Sequence, residues 1–401
     1  MTDTPNQPDD EPPYGWVVVW ACFAALAVIF GVAYSFAAFF ESFTVAFSAA
    51  RADVSLVFGL SGLLYFVLGA FGGMLSDRYG PRLVTSIGML CIVAALLLGS
   101  AATSMLQLTL LYGIGLGVGI ALVYTPSIGC VQPWFTRRRG LAAGVASAGI
   151  GAGTFVVPLI ATAAIAQWQW RGAMLALAAG TAVIGLASTL TLRPAPAATR
   201  RRGSEVPGLT LRETLHTRSF AWLYVMCAFG APAMFIPFAH LSAAARDLGI
   251  GDARAVGLVG LIGIGSLCGR FAIGAVADRI GRPLTLVAAQ ASLGLSMLLW
   301  LGAGGYPALA VFAVWMGLSY GGIVSLMPAM CMDLYGARSV ASSIGTLYTG
   351  AALGNVAGPW IAGRVFDANG SYAMVIAGCV VLSSLSTFAA WRAVRTPTAR
   401  R

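Results

Sequence analysis

Apolar runs of about 20 residues recur along this chain from end to end, separated by short clusters of glycine, proline and arginine. A helix needs about that length to cross the roughly 30 Å hydrocarbon core of a bilayer, and inside lipid the backbone must satisfy its own hydrogen bonds. Read between the punctuating residues, the runs fall at 16–40, 54–75, 83–102, 105–130, 140–165, 172–192, 219–243, 255–276, 284–303, 306–331, 339–363 and 372–393. The expected fold is an all-α membrane protein with twelve transmembrane helices. Only 9% of the residues are charged, against about 25% in a soluble domain.

The net charge of +10 raises the question of nucleic acid, and its distribution answers it. All 24 basic residues are arginine. Eighteen fall in the loops and tail on the side that holds residue 1. Five (Arg51, Arg171, Arg246, Arg254 and Arg364) fall on the other side, and Arg270 lies within a span. Arginine-rich loops mark the cytoplasmic side, so both termini are expected in the cytoplasm of a multi-pass cell (inner) membrane protein, with the lipid bilayer as partner and no nucleic acid. Residues 1–13 are polar, acidic and proline-rich and are expected to be a disordered cytoplasmic segment with no signal peptide. The seven cysteines are scattered through the apolar runs without a CxxC pair. They read as membrane-core filler, and neither metal nor cofactor is expected.

The chain is an internal duplication. "GGMLSDRYGPR" (72–82) recurs as "IGAVADRIGRP" (273–283), so that Gly73, Asp77, Arg78 and Gly80 map onto Gly274, Asp278, Arg279 and Gly281 at an offset of 201. The same offset carries Gly144, Gly149, Gly153 and Pro158 of the fifth span onto Gly345, Gly350, Gly354 and Pro359 of the eleventh. The expectation is two pseudo-symmetric six-helix bundles, 14–193 and 219–394, joined by a cytoplasmic linker over 194–218 and followed by a cytoplasmic tail, 395–401. Parallel repeats with a site at their interface are transporter architecture.

The GxxxDRxG loops, the twelve spans and the central linker resemble the major facilitator superfamily. Within it, "YGWVVV" opening the first span and "WFTRRRGLAAGVASAGIGAG" entering the fifth are similar to the signatures of the monocarboxylate transporter family and its oxalate–formate antiporter relatives. The resemblance implies a transporter of a small monocarboxylate, working by alternating access and coupled to protons. It also implies a cytoplasmic gate made by Asp77, Arg78, Asp278 and Arg279.

The duplication separates scaffold from site, because a polar residue present in one half only needs its own reason. Arg270 is such a residue: its mate is Gly69. An arginine this deep costs on the order of 3 kcal/mol and faces a bundle interior or cavity, and no Asp or Glu lies near the middle of any span. The guanidinium fork suits a carboxylate bidentately, and the eighth-span arginine of monocarboxylate transporters binds the substrate carboxylate. Its partner is expected to be the substrate. Tyr34 matches the first-span tyrosine that faces substrate in the family. Ser266 lies one turn before Arg270, and Tyr124, Tyr348 and Asn355 are further asymmetric polar positions. They are all expected around the same pocket.

Two departures weaken the parallel. Ala38 stands where many animal members have a lysine, and Ser266 stands where they have an aspartate. A single buried cation suggests a monoanion, and the usual proton-carrying carboxylate is absent. His240, the one histidine within a span, titrates near neutrality and is the first candidate for proton coupling, with Glu41 at the outer end of the first span as the second. The chain has no catalytic constellation and is expected to be a monomer and not an enzyme. An anion exchanger of the oxalate–formate kind, or a carboxylate sensor that moves nothing, are the competing functions.

Overall fold

A computed structural model describes residues 12–135, 139–195, 208–336 and 340–396. Residues 1–11, most of the linker and Arg137, Arg138 and Arg338 lie outside them. The described chain is almost wholly helical: α1 (Tyr14–Tyr34), α2 (Phe36–Phe47), α3 (Arg51–Tyr79), α4 (Pro81–Ser100), α5 (Met105–Leu108), α6 (Gly115–Val131), α7 (Arg139–Gly180), α8 (Leu186–Leu190), α9 (Leu211–Leu215), α10 (Arg218–Asp247), α11 (Asp252–Ile280), α12 (Arg282–Leu301), α13 (Tyr306–Tyr335), α14 (Val340–Asn369) and α15 (Ala373–Arg395). Wider π turns at Thr109–Ile114 and Thr181–Gly185 join α5 to α6 and α7 to α8. Within the linker, α9 is held by a capping box between Thr210 and Glu213.

Ten segments among the described residues are long and apolar enough to cross a membrane. One, Leu141–Leu190, is 50 residues long, far more than one crossing uses. It turns back at Gln169, whose φ of 57° breaks the helix. Ala142 and Ala146 at its start and Leu192 just past its end meet in one apolar cluster beside Val18 and Cys22 of α1. With that reversal, and with α14 packed against α3 and α10, the architecture is the twelve-helix one. The first span is bent: the Ser35 hydroxyl donates back to the Gly31 carbonyl at 2.7 Å, between α1 and α2. Such back-bonding competes with the helix ladder and bends it.

The duplication persists contact by contact. A Cβ at Gly149 or Gly153 of α7 would fall on the backbone of Phe23 or Ala27 in α1. At the positions 201 later, Gly350 and Gly354 of α14 face Tyr224 and Ala228 of α10. The halves also meet each other twofold: Gly62 of α3 faces Asn355 of α14, as Gly263 of α11 faces Thr154 of α7. Small residues let these helices approach closely enough for dispersion to hold them in lipid. Gly153→Val is expected to lower stability by about 3 kcal/mol or more, because backbone cannot yield to the added methyls. Gly180, with nothing within 4 Å of an added Cβ, is the control: Gly180→Ala should leave the thermal unfolding midpoint unchanged or raise it.

Candidate functional site

Midway along the interface between the halves lies a cavity with about 670 Å³ of empty space, part of it continuous with solvent. α1, α3, α6 and α7 contribute Phe30, Tyr65, Phe66, Tyr124 and Ile150; α10, α11, α13 and α14 contribute Met226, Phe235, Arg270, Tyr320, Met327 and Tyr348 among others. Arg270 is the one charged residue in the wall among the described residues. Its Nε and Nη2 are buried without a hydrogen-bond partner among the described residues. Guanidinium nitrogens buried without a partner are costly, and an anion entering the cavity beside them would lower that cost.

Two of the expected pocket residues, Tyr124 and Tyr348, line this wall with Arg270. Tyr34 sits against the cavity's closed end: its hydroxyl is 3.4 Å from that of Tyr320, and its ring stacks on Phe238 of α10 at 4.0 Å. The structure does not bring Ser266 or Asn355 to the wall. Ser266 is buried where α11 meets Gly321 of α13, its hydroxyl unpartnered. Asn355 is buried against Gly62, at the interface position that Thr154 occupies in the other copy. Two wall residues escaped the sequence reading: Tyr65 and Tyr320. Both are asymmetric, since the offset of 201 pairs Tyr65 with Ser266 and Tyr320 with Gly119.

Beyond the Tyr34–Tyr320 contact the halves are shut by a polar network. Arg51, the first residue of α3, donates to both carboxylate oxygens of Asp247 in α10, at 2.8 and 2.7 Å, and to the Tyr372 hydroxyl at 2.8 Å. Its guanidinium lies over the Phe366 ring, 3.9 Å from the centroid. Ala50 gives α3 no side-chain cap. Asp367 of α14 caps it from the other half, accepting from the backbone N–H of Arg51 and Ala52 at 3.1 Å each, where the helix dipole favours a carboxylate.

His240 lies directly beneath this network and is fully buried. Its Nε2 is 2.8 Å from the Pro359 carbonyl and 3.0 Å from the Ser55 hydroxyl, and its Nδ1 is 3.0 Å from the Tyr372 hydroxyl. A carbonyl only accepts, so Nε2 carries the proton and Nδ1 of the neutral ring accepts from Tyr372. Glu41, in α2, is half-buried and has no ion pair among the described residues.

At the opposite end the halves pack less tightly. A Cβ at Gly363, near Arg51, would lie 2.5 Å from Ala52, and one at Gly59 would lie 2.9 Å from Val356. At Gly345, toward Arg78, the nearest atom is Ala70 Cβ at 3.6 Å. The second contact widens likewise, from 3.0 Å between Gly263 and Phe155 to 3.6 Å between Gly144 and Phe271. Arg78, Asp278 and Arg279 are exposed there without an ion pair among the described residues; the Asp77 side chain lies outside them.

The chain matches the Major Facilitator Superfamily over residues 21–359 and 233–401. It is 30% identical over 380 residues to monocarboxylate transporter 13 of Rattus norvegicus, covering 93% of this chain and 88% of that protein. It is 30% identical over 374 residues to monocarboxylate transporter 3 of the same species, covering 90% and 76%. In fold it is similar to the inward-facing, unoccupied crystal structure of a bacterial homolog of the human lysosomal transporter Spinster, with a TM-score of 0.71 at 17% identity, covering 96% of this chain and 98% of that one. A cavity at the interface of two duplicated six-helix halves fits such a relationship: the chain is a multi-pass transporter that belongs to the Major Facilitator Superfamily and, within it, to the monocarboxylate transporter family.

Proposed function

We propose that the protein carries a monocarboxylate across the cell membrane by alternating access, as a proton symporter with both termini in the cytoplasm. The observation that carries this reading is Arg270, which offers two buried, unpartnered guanidinium nitrogens to a cavity between the halves. A monoanion neutralises the one cation there, whereas a dicarboxylate would leave a second charge unmatched. The relatives, themselves monocarboxylate transporters, point to the same substrate class. Tyr124 and Tyr348 present hydroxyls to the bound acid, Tyr34 closes the site from the outer side, and Ser266 and Asn355 support the helices that frame it.

The two ends support alternating access. The Arg51 network is the outer gate in its closed state, and Asp77, Arg78, Asp278 and Arg279 are the inner gate in its open state. When the halves rock, the first set separates and the second meets. His240 couples a proton to that motion through hydrogen-bond logic. The Tyr372 oxygen already accepts from Arg51 and donates to Nδ1. A proton on Nδ1 turns that acceptor into a donor, so the tyrosine loses its donation to the ring and its oxygen is left between two mutually repelling cations. The charged groups around the ring are Arg51 of α3, Asp367 of α14 and Asp247 of its own helix. Protonation from outside therefore loosens the gate.

Uptake into proteoliposomes tests this reading. An inward pH gradient should accelerate uptake of a labelled monocarboxylate, and a protonophore should remove the acceleration. His240→Gln should keep counterflow, which needs no net proton movement, and lose the gradient response. Loss of both would make His240 structural, and an unchanged gradient response would move the proton to Glu41 or onto the acid itself. No gradient response in the unmodified protein, with stimulation by a second anion inside, would establish the exchanger instead. Binding without any flux would establish the sensor.

A further inference from the structure

The cavity has a second property, independent of its arginine. Apart from Arg270 and the phenols of Tyr65, Tyr124, Tyr320 and Tyr348, its wall is made of aromatic, branched, thioether, thiol or methyl side chains. Among the described residues it contains no Asp, Glu, His, Asn or Gln. A two- or three-carbon acid satisfies Arg270 and offers little apolar surface to this wall.

We infer that the preferred substrate is a hydrophobic monocarboxylate, one carboxylate on an aromatic or long branched body, with no amino group. This deepens the assignment of Arg270 to the substrate carboxylate and rests on it. The carboxylate takes the orphan Nε and Nη2 donors. The body then lies among Phe30, Phe66, Phe235 and Met327, where an aromatic ring removes about 150–250 Å² from water and sulfur and ring faces are favourable neighbours. The four tyrosines line the same wall as Arg270. They surround the charged head with hydroxyls that turn to donate or accept, so a keto or hydroxy group beside the carboxylate is accommodated. An ammonium group is not: it would meet no carboxylate in the wall and would lie beside the Arg270 charge.

The test is equilibrium binding to the full-length protein in lipid nanodiscs, with 3-phenylpropionate, propionate, lactate, phenylalanine and 3-phenylpropionamide as probes. Protein-free nanodiscs serve as the blank for partition into lipid, and the Arg270→Gln protein is measured alongside. The expected order places 3-phenylpropionate at least tenfold tighter than propionate and lactate, and at least tenfold tighter than phenylalanine and the amide. Propionate or lactate binding as tightly as 3-phenylpropionate, with the amide still weak, would overturn the hydrophobic class while leaving the carboxylate site standing. Phenylalanine binding as tightly as 3-phenylpropionate would overturn the exclusion of amines. The amide binding as tightly as the acid, equally in both proteins, would overturn the assignment of Arg270 itself.

Discussion

Arg270→Gln should abolish carboxylate uptake while leaving the protein as stable as before, or more so. The two halves of this expectation come from one observation. The guanidinium has no partner among the described residues, so removing it breaks no ion pair and relieves the cost of a buried charge. The substrate loses two charge-assisted hydrogen bonds worth about 1.5–3 kcal/mol each, which corresponds to about a hundredfold or more in affinity. Uptake and thermal unfolding, measured on the same preparation, check both parts. A structural arginine would behave in the opposite way, with a fall in unfolding temperature accompanying the loss of uptake. Arg270→Lys should retain a small fraction of uptake, because an ammonium keeps the charge and loses the fork.

Arg51→Ala should shift the resting conformation. Arg51 joins the halves through Asp247, Tyr372 and the Phe366 ring, and these contacts exist only while that end is shut. The ion pair is partly exposed, so its worth is well below that of a buried one; about 2 kcal/mol for the whole truncation is a fair magnitude. That favours the conformation open at the Arg51 end by about thirtyfold. Spin labels on the exposed positions Ala46 and Gly251, on opposite halves, read this directly: the distance distribution should gain a longer component in Arg51→Ala. Asp247→Asn should act in the same direction. The double variant should add little, since both break one pair. An unchanged distribution would mean that the aromatic packing of Tyr34, Phe238 and Tyr320 closes this end unaided.

The sequence carried the scaffold well because lipid imposes a length on each helix and duplication imposes an offset. Spacing of 201 residues, read from the DRxG loops and the paired glycines, reappears as matched backbone contacts such as Gly153 on Ala27 and Gly354 on Ala228. Arg270 was legible for a related reason: one charge in an apolar run, absent from the other copy, has few explanations. Tyr65 and Tyr320 carry the same asymmetry and were passed over, because tyrosine is at home in an apolar helix and its hydroxyl announces nothing until the fold gathers four of them.

Asn355 misled in the other direction. It is asymmetric in chemistry and symmetric in place, filling against Gly62 the position that Thr154 fills against Gly263. The gate was invisible for a third reason. Arg51, Asp247 and Asp367 each read as an ordinary charge at a helix end, and they lie 196 and 316 residues apart along the chain. Only the packing of α14 against both α3 and α10 makes them one device.

The central claim is that the charge of Arg270 and the charge of the substrate recognise each other. A thermodynamic cycle isolates that term: binding of 3-phenylpropionate and of its isosteric amide, each to the unmodified protein and to Arg270→Gln, by calorimetry in nanodiscs. The acid should bind the unmodified protein at least tenfold tighter than the amide, and the preference should vanish in Arg270→Gln, giving a coupling of about 1.4 kcal/mol or more. A preference for the acid that survives undiminished in Arg270→Gln would contradict the account, because the carboxylate would then be held by something other than Arg270.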